Sequence, residues 1–218
     1  MESQTNIENY YRDKSVKYGI GGTRRKKILQ LIGDIKNKKI LDIGCATGYV
    51  GSELKEMGNY VVGVDVSEPA VRQAKGALDE AYAVDVSGDW PDEIKNKKFD
   101  FVILAEVLEH VFDPVNVLEK VNSVLADGGE IIITTPNIMA WHNRLRFIFG
   151  RFEYESQGTF DFGHIRFFTY PYLKQVLSEP GFKIEMENHI IYPGKLTRIL
   201  KFWPGLFANQ FVIKAKKL

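Results

Sequence analysis

The chain has 218 residues, enough for one domain with a full hydrophobic core. Hydrophobic residues make up 44% and charged residues 26%, as in ordinary soluble proteins, and a net charge of +1 provides no strong field for nucleic acid or a membrane. The single cysteine, Cys45, excludes an internal disulfide, the polar N-terminus lacks a signal-peptide core, and no apolar run is long enough to span a bilayer. These features predict a cytoplasmic protein.

Basic residues are concentrated towards the two ends of the chain. Ten Lys or Arg stand against two acids between Arg12 and Lys39, and six Lys or Arg with no acid follow from Lys195. Solvated helix faces are the favoured interpretation, and contact with an anionic substrate or surface is the alternative.

Helices and strands alternate through the first two thirds of the sequence. Helical spacing occurs in residues 24–35, 49–58, 67–78 and 115–129, and the apolar runs 38–44, 60–66, 81–86, 99–107 and 130–136 have the pattern of strands. Ser67 is the expected N-cap of the third helix, and glycines are expected to end the second and fourth. The alternation predicts an α/β fold with a mostly parallel, doubly wound sheet that helices cover on both faces.

The alternation stops after Pro136. Residues 137–170 are aromatic and basic without a strand period. Residues 171–182 have helical spacing, and residues 182–192 and 209–218 have the pattern of late strands. With no internal repeats, the sequence predicts one domain over residues 1–218. We divide it into an N-terminal lid and helix (1–37), a ligand-binding core (38–136), a substrate-facing insertion with its helix (137–180) and C-terminal strands (181–218).

The stretch LDIGCATGYVGSEL, residues 41–54, is a glycine-rich turn between a strand and a helix. Tyr49 stands where a dinucleotide fingerprint needs its third glycine, and the Lys-Ser/Thr pair of a phosphate loop is missing, so NAD is not expected. Asp42 before the turn favours a cationic group such as an ammonium. Asp65 suits ribose hydroxyls, and Asp85 could accept from the exocyclic amine of a base. Amine, ribose and base together describe S-adenosylmethionine.

The motifs LDIGCATG, VVGVDVS, AVDV and FDFVILAEVLEHVFDP resemble, in the right order, those of class I S-adenosylmethionine-dependent methyltransferases. The resemblance covers about residues 38–136 and implies a Rossmann-like, seven-stranded sheet. Ala46 departs from the family, which often has glycine there. The implied cofactor-binding residues are Asp42, Gly44, Cys45, Ala46, Gly48, Asp65, Val66, Asp85, Val86, Ala105 and Glu106. Two alternatives stay open: a turn role for Asp85 and a helix-dipole role for Glu106.

The EVLEHV motif resembles the small-molecule O-methyltransferases that include the ubiquinone-pathway enzymes. This resemblance implies methyl transfer to a hydroxyl or carboxylate oxygen of a small acceptor, and the acceptor could carry an anionic group. It also implies that His110 is the base, and His164 is the second candidate. Cys45 is interpreted as a packing residue, since methyl transfer needs no enzyme nucleophile. The expected substrate-binding residues are Tyr11, Tyr18, Trp141, Asn143, Arg144 and Arg166.

The spacing of Glu106, Glu109 and His110 predicts that the three share one helix face. A metal site, an acid–base cluster and a solvated edge are all compatible with that placement, and no metal is assigned. Residues 194–207 have helical spacing with an apolar stripe, which indicates core packing or a dimer contact, with an acceptor entrance or a membrane surface as the alternative. A monomer and a homodimer are equally compatible with the sequence.

Two rival functions remain compatible with the same motifs. Shorter stretches, TPNIMAWHNRLRFIFGRF and GHIRFFTYPYL, resemble the methionine-biosynthesis protein MetW and polysaccharide-linked methyltransferases, which implies a non-catalytic accessory protein acting through a partner enzyme. The basic ends are compatible with an RNA methyltransferase, although the balanced net charge argues against nucleic acid as a partner.

Overall fold

The computed structural model of the chain describes residues 22–192 and 197–218. Eight strands lie within these ranges: β1 Lys39–Ile43, β2 Tyr60–Asp65, β3 Glu80–Ala83, β4 Phe99–Ala105, β5 Leu125–Pro136, β6 Phe182–Glu187, β7 Ile190–Ile191 and β8 Ala208–Lys217. The helices of the same residues are α1 Gly22–Ile32, α2 Tyr49–Glu56, α3 Glu68–Ala74, α4 Asp92–Lys95, α5 Pro114–Val124, α6 Trp141–Ile148, α7 Tyr170–Ser178, α8 Thr197–Leu200 and α9 Pro204–Phe207, and a 3₁₀ helix covers Leu108–His110.

The strands form one sheet in the order β3-β2-β1-β4-β5-β8-β6, and β7 pairs with β8 beside β6. Strands β1 to β5 are parallel, whereas β8 runs antiparallel to β5 and β6. The central strands are almost fully buried, which is why they appear in the sequence as continuous apolar runs. The predicted doubly wound, mostly parallel sheet is confirmed.

Helices cover both faces of the sheet and create two apolar layers. On one face, α1, α2 and α3 contribute Ile28, Leu31, Ile32, Val50, Leu54, Val71 and Ala74. On the other face, α4, α5 and α7 contribute Ile94, Val117, Leu118, Val121, Leu173, Val176 and Leu177. The parallel order places the carboxyl ends of β1, β2, β3 and β4 along one edge of the sheet, where the glycine-rich turn follows β1.

Several predicted boundaries are wrong, and each has a local cause. Helix α3 ends at Ala74 because its chain turns through residues 75–79, although Ser67 is its N-cap as predicted. Helix α5 ends at Val124, and the glycines at 128 and 129 belong to β5 rather than closing the helix. Strand β3 ends at Ala83, so Asp85 and Val86 lie in the loop beyond it.

The predicted single helix over residues 194–207 is also wrong. The described part of that stretch forms two short helices, α8 and α9, with Pro204 at the start of the second. Ile199, Phe202 and Trp203 are exposed there. The predicted lid with Tyr11 and Tyr18, and the residues Lys195 and Leu196, lie outside the described residues. None of the described helices has the length and apolar character that crossing a bilayer requires.

Candidate active site

The glycine-rich turn after β1 adopts left-handed backbone conformations that favour glycine. Gly44 and Gly48 have φ of 71° and 84°, and Ala46 has a φ of 47°. A Cβ on Gly44 would lie 2.7 Å from Cγ2 of Val107, so the loop after β4 presses against the turn. The backbone N–H groups of Gly44 and Cys45 donate to the Val64 carbonyl oxygen, which fixes the turn beside the end of β2.

Asp42, the acid of β1, is buried at the base of this turn with 2% of its surface exposed. Burial first, and the charge of Asp65 second, raise the pKa of Asp42 to about 7, against the opposing effect of the Gly51 backbone N–H. Its Oδ2 atom is buried and has no hydrogen-bond partner among the described residues. A buried carboxylate in this state favours a cationic partner, as predicted for an ammonium group.

Asp65 ends β2 and points back at the turn. One carboxylate oxygen accepts from the Ala46 N–H at 2.9 Å and the other from the Ser67 N–H at 2.8 Å. Burial raises its pKa and these two N–H groups oppose the shift. Each carboxylate oxygen has a second lone pair, so both can still accept from vicinal ribose hydroxyls.

The remaining predicted cofactor residues surround the same edge of the sheet. Asp85 is exposed and accepts from the Ser87 N–H, as a turn acid does, so this contact neither requires nor excludes an adenine role. Val86 is half-buried and its carbonyl oxygen accepts from the indole of Trp90, whereas Val66 is exposed after β2. Ala105 is buried at the end of β4.

Cys45 lies inside the turn and packs rather than reacts. Its side chain is buried, and burial raises the pKa of the thiol, which disfavours the thiolate needed for nucleophilic chemistry. A Cβ on Gly63 would lie 2.8 Å from the Cys45 sulfur, so the thiol occupies the space that this strand glycine leaves. The interpretation of Cys45 as a small packing residue agrees with this environment.

Glu106 follows β4 with a φ of 60°, an uncommon conformation for a residue with a side chain. Its carboxylate accepts from the Thr134 hydroxyl at 3.0 Å and forms an ion pair with Arg24 of α1 at 3.1 Å. The predicted helix face shared by Glu106, Glu109 and His110 is therefore wrong. Only residues 108–110 are helical, and the Glu106 carboxylate pairs with Arg24, although its charge still acts on Glu109. Nothing in the sequence beyond a basic cluster at residues 24–27 pointed to Arg24.

A different trio forms where the 3₁₀ helix meets the insertion. Glu109, His110 and His164 each present one ligand atom, and these atoms lie within 4.8 Å of one another. The two imidazole rings are 4.7 Å apart between centroids and meet edge to face. Backbone N–H groups of Ile165 and Arg166 donate to the Glu109 carbonyl oxygen, and they hold the insertion against the 3₁₀ helix.

The two histidines are oriented by backbone carbonyl groups. His110 Nδ1 lies 2.9 Å from the Gly163 oxygen, and His164 Nδ1 lies 3.0 Å from the Thr159 oxygen. Because a carbonyl oxygen only accepts, each Nδ1 carries the proton and Nε2 is the basic nitrogen of each neutral ring. Burial and the charge of Glu106 raise the pKa of Glu109 well above its usual value.

The predicted substrate residues of the insertion occupy several environments. Arg166 adjoins the trio, where its Nε donates to the Phe112 oxygen and its guanidinium lies over the Phe112 ring. Trp141 is exposed at the start of α6, and Arg144 donates to the carbonyl oxygens of Met139 and Gly205. Asn143 is buried and donates to the Asn137 oxygen, so its side chain serves the packing of the insertion.

The described residues fit the cofactor that the motifs imply. The glycine-rich turn after β1 leaves space that side chains would fill. At the base of the turn, Asp42 has a buried carboxylate oxygen without a hydrogen bond among these residues, and Asp65 presents lone pairs at the end of β2. These features match an amine and a ribose on one ligand. The fit comes from neighbouring strand ends, which the parallel order brings together.

Comparison with known proteins identifies the family. A family model described as a methyltransferase domain matches residues 20–187. The chain is 32% identical over 107 residues to a ubiquinone biosynthesis O-methyltransferase of Pseudomonas aeruginosa, covering 47% of this chain and 46% of that protein. It is 34% identical over 122 residues to the enzyme of that name from Coxiella burnetii, covering 54% and 51%. The chain thus spans about half the length of the curated relatives it matches.

Solved structures share the fold. A methyltransferase from Methanosarcina mazei superposes with a TM-score of 0.63 at 22% identity, covering 87% of this chain and 97% of that one. Magnesium protoporphyrin IX methyltransferase from Synechocystis, with bound S-adenosylhomocysteine, has a TM-score of 0.66 at 16% identity and covers 99% of both chains. The chain belongs to the class I S-adenosylmethionine-dependent methyltransferases, and S-adenosylmethionine is its cofactor.

Proposed function

We propose that this protein transfers a methyl group to a hydroxyl or carboxylate oxygen of a small-molecule acceptor. The observation that carries the proposal is the pair of imidazoles, His110 and His164, beside the loop that contacts the glycine-rich turn. When bound, S-adenosylmethionine supplies a sulfonium methyl group, which passes to the acceptor oxygen while the electron pair of the broken carbon–sulfur bond stays on sulfur. The chain's residues therefore need only to orient the acceptor and to receive its proton.

Proton transfer falls to the histidine pair. The Gly163 carbonyl fixes the His110 tautomer, so that Nε2 is the atom that accepts the acceptor's proton. A neutral imidazole suits this role near physiological pH, since its unperturbed pKa is about 6.5. His164, oriented in the same way by Thr159, is the second candidate base.

The surroundings of the pair support a planar or apolar acceptor with an anionic group. Phe112, Phe162 and Ile165 are exposed next to the histidines in the chain, and exposed apolar groups in one region typically mark a binding surface. Arg166 stacks on Phe112 and provides a cation for a carboxylate or phosphate of the acceptor. The relatives named as ubiquinone biosynthesis O-methyltransferases support oxygen as the receiving atom.

A comparison of two histidine variants tests the proposal. We expect His110→Ala to lower turnover about 10²–10⁴-fold, the usual contribution of a general base, while affinity for S-adenosylhomocysteine stays near that of the wild type. His142→Ala is the matched control, because His142 lies on α6 and contacts Asn209 instead of the pair. Acceptors are identified by mass spectrometry of a cell extract incubated with the protein and methyl-labelled cofactor.

The same incubation separates the rival functions. Labelled product with purified chain alone supports the enzyme. Product that forms only when a partner protein is added supports the accessory role, and label recovered in RNA, with affinity that falls as salt rises, supports the RNA methyltransferase. Full turnover in His110→Ala together with an inactive His164→Ala would move the base to the insertion.

A further inference from the structure

We propose that Glu109, His110 and His164 form a binding site for one divalent transition-metal ion. The proposal deepens the proposed function, because the ion would lie where the acceptor oxygen is activated. The catalytic role of the ion rests on that proposed function. Its basis is the arrangement of three ligating side chains from two separate segments, and a buried carboxylate without a hydrogen bond in the part of the chain that the structure describes.

The ligand atoms are close to the spacing that a metal ion imposes. They lie within 4.8 Å of one another, and metal–ligand bonds of 2.0–2.2 Å place neighbouring ligands roughly 3–3.5 Å apart. The widest separation must therefore contract by roughly 1.3–1.8 Å, through side-chain rotations, to complete the site. The backbone bonds from residues 165 and 166 to Glu109 hold the two segments in contact, so the ligands converge without movement of the main chain.

Both histidines already make the hydrogen bond that orients a metal-binding imidazole. Metal-bound histidines almost always donate their other ring N–H to a carbonyl or carboxylate group. His110 and His164 each direct Nδ1 at a backbone oxygen, of Gly163 and Thr159 respectively. Both rings are thus fixed in the tautomer whose Nε2 lone pair can bind an ion.

Glu109 is the independent observation that points to a ligand. Its side chain is 1% exposed, and both carboxylate oxygens are buried without a hydrogen bond among the described residues. Buried carboxylates are normally paired or coordinate metals, because the desolvation of an isolated charge costs several kcal/mol. The charge of Arg24 also lowers the pKa of Glu109, but the guanidinium forms its ion pair with Glu106 at 3.1 Å, so Glu109 has no ion pair of its own among the described residues.

The donor set indicates the class of ion. Two imidazole nitrogens and one carboxylate oxygen suit Zn²⁺, Fe²⁺, Co²⁺ and Mn²⁺, and three protein ligands leave positions open for a substrate oxygen. An acceptor hydroxyl bound at an open position would lose its proton more easily. With the ion bound, His110 and His164 would be ligands in place of the base assigned to them above, and solvent would take the proton.

The test measures binding of Mn²⁺ to the chelator-treated full chain, without cofactor or acceptor, by electron paramagnetic resonance of the free ion. We expect one Mn²⁺ per chain. Glu109→Gln and His164→Ala should each weaken binding at least about 10–100-fold, and the control His142→Ala should bind as the wild type does. Co²⁺ titration of the same proteins should produce visible absorption bands that the two variants lack.

S-adenosylhomocysteine binding by each variant shows whether it has folded, and His164→Ala serves if Glu109→Gln does not fold. Absence of Mn²⁺ and Co²⁺ binding by the wild type would overturn the proposal, and so would equal binding by a folded His164→Ala. Because neither acceptor nor cofactor is present, this result is independent of whether methyl transfer occurs. A chelator-treated chain that transfers methyl groups at full rate would refute the catalytic role of the ion and leave the proposed function standing.

Discussion

Replacement of Asp42 by asparagine should stabilise the cofactor-free protein while weakening its binding of cofactor. The carboxyl group is 2% exposed, and its pKa is raised from 3.8 to about 7. Asparagine has nearly the same shape, carries no charge, and keeps an oxygen for the Gly51 N–H. The variant therefore removes the buried charge and leaves the packing of the turn unchanged.

The magnitude follows from the pKa difference between the folded and unfolded chain. A folded pKa above the unfolded one means that the folded protein holds the proton to higher pH, so stability falls as pH rises from about 4 to about 7. Three pKa units at 1.36 kcal/mol each correspond to a loss of up to about 4 kcal/mol above pH 7. The variant lacks this loss, so its advantage grows over the same pH window.

The assay is urea unfolding of the cofactor-free proteins, followed by circular dichroism between pH 4.5 and 8.5. Asp85→Asn is the control for loss of a charge, because Asp85 is an exposed acid in the loop after β3. We expect Asp42→Asn to bind S-adenosylhomocysteine at least about tenfold more weakly, since a hydrogen bond to a charged group contributes about 1.5–3 kcal/mol. A stability difference that does not change with pH, or unaltered affinity, would refute the reasoning.

Three further variants probe the same edge of the sheet. In urea titrations, Gly44→Ala should lower the free energy of unfolding by about 2–4 kcal/mol, because alanine is strained in the left-handed conformation and its Cβ would contact Val107. Adding Val107→Ala should restore part of the lost stability. Ala46→Gly should change the free energy of unfolding by no more than about 1 kcal/mol, because relief of backbone strain at a φ of 47° is offset by the greater freedom of the unfolded chain. A larger loss of stability would contradict this expectation. Asp65→Ala should weaken S-adenosylhomocysteine binding about 10–150-fold in calorimetry, and unchanged affinity would remove Asp65 from the ribose site.

The sheet could be predicted from the sequence because its strands are buried on both faces. β1 and β4 are apolar runs bounded by turns, and this pattern identifies parallel strands without knowledge of their neighbours. The helix limits were harder to predict. Gly128 and Gly129 look like a helix end, yet β5 begins at Leu125, which pairs with Phe99, and both of these side chains are buried in the core.

The cofactor side of the site was predictable for a related reason. Residues that end consecutive parallel strands meet at one edge, so Asp42 and Asp65 could be placed together from order alone. The acceptor side depends on contacts between distant segments. His110 and His164 are adjacent because β4 and β5 pair and the insertion folds back. The ion pair of Glu106 with Arg24 has no local signal in the sequence, and His164 rather than Glu106 completes the cluster with Glu109 and His110.

Asp42 and Glu109 are two buried carboxylates with oxygens that have no hydrogen bond among the described residues. Asp42 lies at the base of the glycine-rich turn and Glu109 in the proposed acceptor region, and Val107, in the loop before the 3₁₀ helix, contacts the turn. Each carboxylate lowers the stability of the empty protein, and a cation would compensate each: an ammonium for Asp42 and the proposed metal ion for Glu109. Since a ligand that binds only the folded state stabilises it, the two ligands should raise stability separately. Buried carboxylates of this kind lower the stability of the empty protein, and for the same reason they favour positively charged ligands.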